Sequence, residues 1–208
     1  MISTSNLTFS YDKGNSFEFP NFQLKNEEHL LILGASGIGK TTFLHLLAGV
    51  LSPKNGEISI NGELISKLNP KKLDNYRGKN IGLIFQKTIA IASLSVAENL
   101  AARLYFSKVA SRQTEITQLL AQLDLLAVKN KKPSQLSEGQ LQRLGIALGV
   151  IHQPKIILAD EPTSSLDDTN CALVINLLKT QAEKSKANLI IITHDQRIKK
   201  EFSNTLEL

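Results

Sequence analysis

The chain has 208 residues, 42% hydrophobic and 21% charged, a balance that fits a folded domain with its own core and excludes a disordered segment. Its 24 basic and 19 acidic side chains leave a mild excess of +5, suited to anionic ligands, and no apolar run approaches the roughly 18 residues that span a bilayer. The single cysteine, Cys171, excludes an internal disulfide and a multi-cysteine metal site, and suits a reducing compartment.

The opening Met1-Ile2-Ser3-Thr4 lacks the basic-then-apolar layout of a secretory signal, so the expectation is a protein that neither crosses a membrane nor is exported by that route. Leu7 to Tyr11 and Phe17 to Phe19 alternate as half-exposed antiparallel strands do. Leu30 to Leu33 is a continuous apolar run, as in a strand covered on both faces, and the helical pattern Thr42 to Leu47 follows it after a glycine-rich turn. Glu57 to Ile60 predicts a strand entering a tight turn at Asn61-Gly62. Further apolar strands are expected at Ile81 to Phe85, Ile156 to Ala159 and Leu189 to Ile192. From about Ser93 to His152 apolar residues recur at helical spacing instead, as at Ile116, Leu119, Leu120 and Leu123. Strands alternating with helices argue for an α/β sandwich with a mostly helical insertion between two strands of one sheet.

Gly34-Ala35-Ser36-Gly37-Ile38-Gly39-Lys40-Thr41 satisfies G-x-x-x-x-G-K-[ST] between a strand and a helix. Glycines let backbone N–H groups fold around phosphate oxygens, and the helix N terminus adds the positive end of its dipole. Lys40 would reach the β- and γ-phosphates and Thr41 would offer a hydroxyl to Mg²⁺. The strand Ile156 to Ala159 ends in Asp160-Glu161. Asp160 is placed to hold Mg²⁺ through its water shell, and Glu161 is free to deprotonate a water attacking the γ-phosphate.

Leu136-Ser137-Glu138-Gly139-Gln140-Leu141-Gln142-Arg143 resembles the signature segment of the ATP-binding cassette (ABC) ATPases, usually Leu-Ser-Gly-Gly-Gln followed by Gln-Arg. The resemblance extends from about residue 2 to residue 196. Tyr11 lies where the family places the aromatic that stacks on adenine. Gln86 matches its Q-loop glutamine, Ser164-Ser165-Leu166-Asp167 its D-loop, and His194 its switch histidine. The resemblance implies a P-loop NTPase fold, an ABC-type α/β core with an antiparallel β subdomain. Residues 2–208 would form one domain, with a helical signature subdomain at about 88–152 inserted in the RecA-like core.

The resemblance also implies a mechanism. Two copies pack head to tail around two ATP molecules, each held by residues 34–42 (Thr42 included) of one copy and Ser137, Glu138, Gly139 and Gln140 of the other. Glu161, His194 and Gln86 are the implied catalytic residues, and Thr41, Gln86 and Asp160 the implied Mg²⁺ residues. A separate integral membrane permease is the expected partner, with its coupling helix in a groove between the Gln86 loop and the helices near Ser95 to Phe106. The chain would then sit in the cytoplasm on the inner face of the membrane.

Within the family, Ile65 to Leu68 and Tyr76 to Gly82 are similar to the lipoprotein-releasing and macrolide-export ATPases, although Gln86 to Ile91 departs from their usual Leu-Pro segment. Glu138 stands where the signature usually has glycine, and a carboxylate there repels a partner's phosphates unless it turns into solvent. Glu27 also stands where the family often has glycine, and Ile38 and Thr41 replace commoner serines. The alternative readings are a soluble cassette ATPase acting on DNA or ribosomes and a P-loop kinase. The first lacks the coiled-coil arms or paired cassettes it would need, so no nucleic acid is expected; the second has no use for Leu136 to Gln140. His29, His45 and His152 are isolated and predict packing or surface roles, and Lys129, Lys131 and Lys132 a solvated loop.

Overall fold

The alternating residues at the start of the chain form β1 (Ile2–Ser10), β2 (Ser16–Phe19) and β3 (Phe22–Leu24), and the first continuous apolar run forms β4 (His29–Leu33). There follow α1 (Lys40–Leu47), β5 (Asn55–Ile60), β6 (Glu63–Leu64), α2 (Pro70–Asn80), β7 (Ile81–Ile84), α3 (Val96–Phe106), α4 (Gln113–Gln122) and α5 (Glu138–Val150). The chain then makes β8 (Ile156–Asp160), α6 (Asp168–Ser185), β9 (Asn188–Thr193), a 3₁₀ turn at Gln196–Glu201 and β10 (Asn204–Glu207). This computed structural model describes residues 1–11, 16–110, 113–164 and 166–208.

Two sheets result. The antiparallel one runs β2-β1-β5-β6, with β3 also paired to β1. The parallel one runs β10-β4-β9-β8-β7, with Leu31 opposite Ile191 and Leu158 opposite Ile190. Side chains on these strands alternate between two cores. Ile32, Leu158, Ile190 and Ile192 pack with α1 and the antiparallel sheet. Leu31, Leu33, Ile157, Ala159 and Ile191 pack with α3 to α6. Each fully buried Leu or Ile contributes ~1.5–3 kcal/mol, which is why every interior strand of the parallel sheet is apolar on both faces.

Asn61 and Gly62 both have positive φ, 52° and 81°, and join β5 to β6 with Ile60 opposite Glu63, as the hairpin signal predicts. Three expected boundaries shift. Tyr11 lies past the end of β1, β7 stops at Ile84 before Phe85, and α5 stops at Val150 instead of reaching His152. Glu27 has φ of 65°, a left-handed backbone that glycine adopts without strain.

Helices α3, α4 and α5 lie between β7 and β8, which are paired neighbours. The helical segment is fastened to the sheet at its base. His152 is 3% exposed, with Nε2 3.1 Å from Ile81 O at the start of β7 and 3.0 Å from Arg103 Nη2 on α3. Burial, aided by the Arg103 charge, lowers its pKa from 6.5 to about 3. The histidine is therefore neutral in the fold and free to protonate in the unfolded chain. The stability it contributes is complete above pH 6.5 and declines as the pH falls toward 3. Urea unfolding between pH 7 and pH 4 is expected to show a loss on the order of 3 kcal/mol from this group at pH 4, and His152→Gln to remove that part of the slope.

Candidate active site

The turn from β4 into α1 forms the floor of the site. Gly39, the residue before the helix, has φ of 105°, and a Cβ there would stand 2.7 Å from Phe17 Cδ1. Both facts demand glycine. Helix α1 has no side-chain cap and no acidic residue in its first turn, so its leading N–H groups and dipole face outward unmet by protein. This is the arrangement that takes an anion.

Lys40, 6% exposed, folds back on the turn and donates from Nζ to Gly34 O at 2.9 Å and Ala35 O at 3.0 Å. Thr41 Oγ1 donates to Asp160 Oδ2 at 2.9 Å. Thr42 Oγ1 is 3.1 Å from Tyr11 OH, which ties the aromatic to the helix start. Around this floor is a cavity of about 320 Å³ lined by Phe17, Ser36, Gly37, Gly39, Lys40, Thr41, Thr42, Gln86, Glu161 and His194. Gly34, Ala35 and Ile38 shape the turn without lining the cavity.

Asp160 and Glu161 come from the end of β8. Asp160 Oδ1 is buried without a hydrogen-bond partner, and burial pushes the carboxyl above its ordinary range despite the bond from Thr41, with Glu161 adding to the rise. A buried oxygen left open beside a threonine hydroxyl fits a divalent cation with oxygen ligands, as Mg²⁺ is. Glu161, which the sequence offers to orient or deprotonate a water, is held by several neighbours. Its backbone is left-handed, φ 47°, a conformation costing on the order of 1 to 3 kcal/mol. Its Oε1 lies 2.9 Å from His194 Nδ1 and 3.5 Å from Lys40 Nζ, while Oε2 accepts from Thr193 Oγ1 at 2.8 Å. Partial burial opposes the charge, but the bonds from His194 and Thr193 prevail and hold the carboxyl below its usual range, so it is ionised at neutral pH.

Gln86 Nε2 donates to Ser164 Oγ at 3.2 Å, and that hydroxyl donates to Glu161 O at 3.2 Å. Asp167 caps α6, accepting from Asn170 N at 2.9 Å; Ser165 lies outside the described residues. Ser137, Glu138, Gly139 and Gln140 do not line the cavity. They open α5, where Ser137 and Gln140 form a reciprocal capping box and Glu138 is exposed at the first helical position. Helix α5 still reaches the site through its side. Gln142 Nε2 donates to Pro162 O at 2.6 Å and Thr88 Oγ1 donates to Leu141 O at 3.0 Å.

Sequence reasoning missed Phe17, Thr193 and Thr88. Phe17 reads as one more strand residue, and its place over Gly39 depends on the pairing of β1 with β2. Thr88 Oγ1 would be 2.6 Å from a Cβ at Gly145, a fit visible only once α5 is packed.

Residues 18–164 match the sequence profile of the family described as "ABC transporter". The lipoprotein-releasing system ATP-binding protein LolD of Treponema denticola is 36% identical over 202 residues, covering 95% of this chain and 89% of that protein. The bacitracin export ATP-binding protein BceA of Halalkalibacterium halodurans is 35% identical over 201 residues, covering 94% and 79%. Among solved structures, the dimeric post-hydrolysis state of the ATP-binding cassette MJ0796 bound to ADP and Pi superposes with a TM-score of 0.90 at 30% identity, covering 100% of this chain and 94% of that one.

Gly39→Ala is expected to destabilise the protein by about 1–3 kcal/mol and to weaken nucleotide binding, read by thermal unfolding and a fluorescent nucleotide titration.

Proposed function

This chain belongs to the ABC transporter family and is an ATP-binding, ATP-hydrolysing subunit of that class; from that premise we propose how its residues divide the work. The convergence of Lys40, Thr41, Glu161 and His194 on one cavity, with Asp160 bonded to Thr41 behind it and Ser137 to Gln140 outside it, carries the assignment. Residues 34–42 hold the phosphates of ATP, Lys40 on the β- and γ-phosphates, with adenine on Tyr11. Thr41, Asp160 and Gln86 would hold Mg²⁺, which would supply neutralisation of charge on the phosphate oxygens. Glu161, ionised and fixed by three neighbours, takes the proton of a water whose oxygen bonds to the γ-phosphorus. The bond from that phosphorus to the β-phosphate oxygen breaks, leaving ADP and phosphate. His194 orients the γ-phosphate and Glu161 together.

Residues 2–208 act as one domain, with the helical part at about 88–152 carrying the signature segment. Two copies bind head to tail, so that the segment Ser137, Glu138, Gly139 and Gln140 of one faces the γ-phosphate held by the other, with the Glu138 side chain turned away into solvent, and Ser164 to Asp167 lie at the joint. The similarity to dimeric MJ0796 supports this arrangement. Glu138, in solvent and at the positive end of α5, is stabilised by its own helix.

No helix among the described residues is long and apolar enough to cross a membrane. The membrane part is a separate permease whose coupling helix enters a cavity of about 700 Å³ between the Gln86 loop and α3, lined by Phe85, Thr88, Ile89, Ile91, Arg103 and Phe106. Ile89 and Phe106 are 68% and 67% exposed there, apolar surface that a partner would cover. The protein works in the cytoplasm on the inner face of the membrane, in a system of the lipoprotein-releasing and macrolide-export kind, as its relatives' names support.

Glu161→Gln should lower turnover roughly 100- to 10,000-fold while ATP traps the dimer, followed by phosphate release and size-exclusion chromatography. Hydrolysis near the wild-type rate removes Glu161 from the role of base. Ser137→Arg should stop hydrolysis while the isolated monomer keeps its ATP affinity; a steep fall in that affinity refutes the placement of the signature in trans.

A further inference from the structure

Arg197 lies three residues past His194, in the 3₁₀ turn Gln196–Glu201, and has no part in the mechanism above. Its guanidinium contacts three segments. Nε donates to Asp195 Oδ1 at 2.9 Å and Nη2 to Asp195 Oδ2 at 2.8 Å, a forked pair with the residue that follows His194. Nη1 donates to Asp168 Oδ1 at 2.6 Å in the first turn of α6. Nη1 and Nη2 both donate to Leu166 O at 3.1 Å, in the loop that leads into that helix.

Asp195 is 8% exposed and leads onward into the site. Its Oδ2 accepts from Thr163 Oγ1 at 2.9 Å, and its N–H donates to Thr193 Oγ1 at 3.0 Å. Thr193 Oγ1 in turn donates to Glu161 Oε2. An unbroken hydrogen-bonded path therefore runs from Leu166 O through Arg197, Asp195 and Thr193 to the carboxylate of Glu161. An exposed Arg–Asp pair by itself contributes little to stability, so the contacts with Leu166 O and the buried carboxylate are what distinguish this one. Only a planar fork with five N–H groups fits all four acceptor atoms; a lysine ammonium, with three, does not.

We propose that Arg197 is a positioning residue: it sets the backbone at Leu166 against the His194 turn, so that engagement of that loop by the second copy fixes the geometry of Glu161 and His194. This rests on the reading above, in which Leu166 lies at the joint between copies and His194 acts on the γ-phosphate. The guanidinium touches no substrate. Its effect is on how the reacting groups are held once two copies have closed, and therefore on kcat and not on nucleotide binding.

The test compares full-length wild type with Arg197→Lys, Arg197→Ala and His194→Ala, by phosphate release against ATP concentration, nucleotide titration of the dilute protein and thermal unfolding. Both Arg197 variants are expected to lose roughly 10- to 100-fold in kcat, with KM and monomer nucleotide affinity within about two-fold of wild type. Arg197→Lys keeps the charge and is the deciding variant should Arg197→Ala fail to fold. If it restores kcat, a bare charge suffices and the proposal falls. It falls equally if the Lys variant loses ATP affinity in proportion to rate. A His194→Ala protein with the wild-type rate overturns the underlying reading of the site instead, whereas an inactive His194→Ala beside a fully active Arg197→Lys sinks only this inference.

Discussion

The parallel register of β4, β9 and β8 is the constraint on which the site depends. Leu33 stands opposite Thr193, and Asp160 opposite Ile192. The three strands therefore end at one edge, and whatever follows each of them is delivered to the same place. The phosphate turn follows β4, His194 follows β9, and Glu161 follows β8. Ligands of open α/β sheets bind at such carboxyl edges for this reason. A one-residue slip in either pairing would turn the slipped strand's side chains toward the opposite core and part the residue it delivers from the other two.

The edge alone does not explain how the helical segment reaches the site. That link is made by small residues and carbonyl oxygens. Gly145 leaves the space that Thr88 fills, Thr88 then bonds Leu141 O, and the next residue of α5, Gln142, donates to Pro162 O. The segment after Gln86 and the backbone just beyond Glu161 are thus both tied to α5, whose N terminus carries Ser137 to Gln140. His152 and Arg103 fasten the opposite end of the segment to the start of β7. Helix α5 is consequently held at its base and along one side, and its signature end projects from the sheet.

The sequence made legible whatever a continuous apolar run or a fixed spacing marks: β4, β7, β8 and β9, the phosphate turn, the acidic pair and the histidine. It did not disclose α2, which has no buried residue and so no apolar stripe, although Asn69 and Pro70 supply its start. Nor did it disclose β10, the polar edge strand Asn204–Glu207, which is paired only with β4. The state of Glu161 was hidden for another reason. Its partners, His194 and Thr193, are more than thirty residues away in sequence, and nothing local distinguishes a bonded carboxylate from an open one. Phe17 and Arg197 share that obscurity, because each acquires its meaning from a segment that only the folded chain brings near.

The pairing of Lys40 with Glu161 has an electrostatic consequence. The one ammonium at the floor of the cavity is balanced by an adjacent carboxylate, with the second carboxyl of Asp160 close behind. The charge of Lys40 is thereby offset inside the pocket itself, and the uncapped start of α1 is left as the part of the floor that meets an anion unopposed. Its recognition rests on peptide dipoles felt at contact distance, which mobile ions screen far less than they screen a field reaching many ångströms.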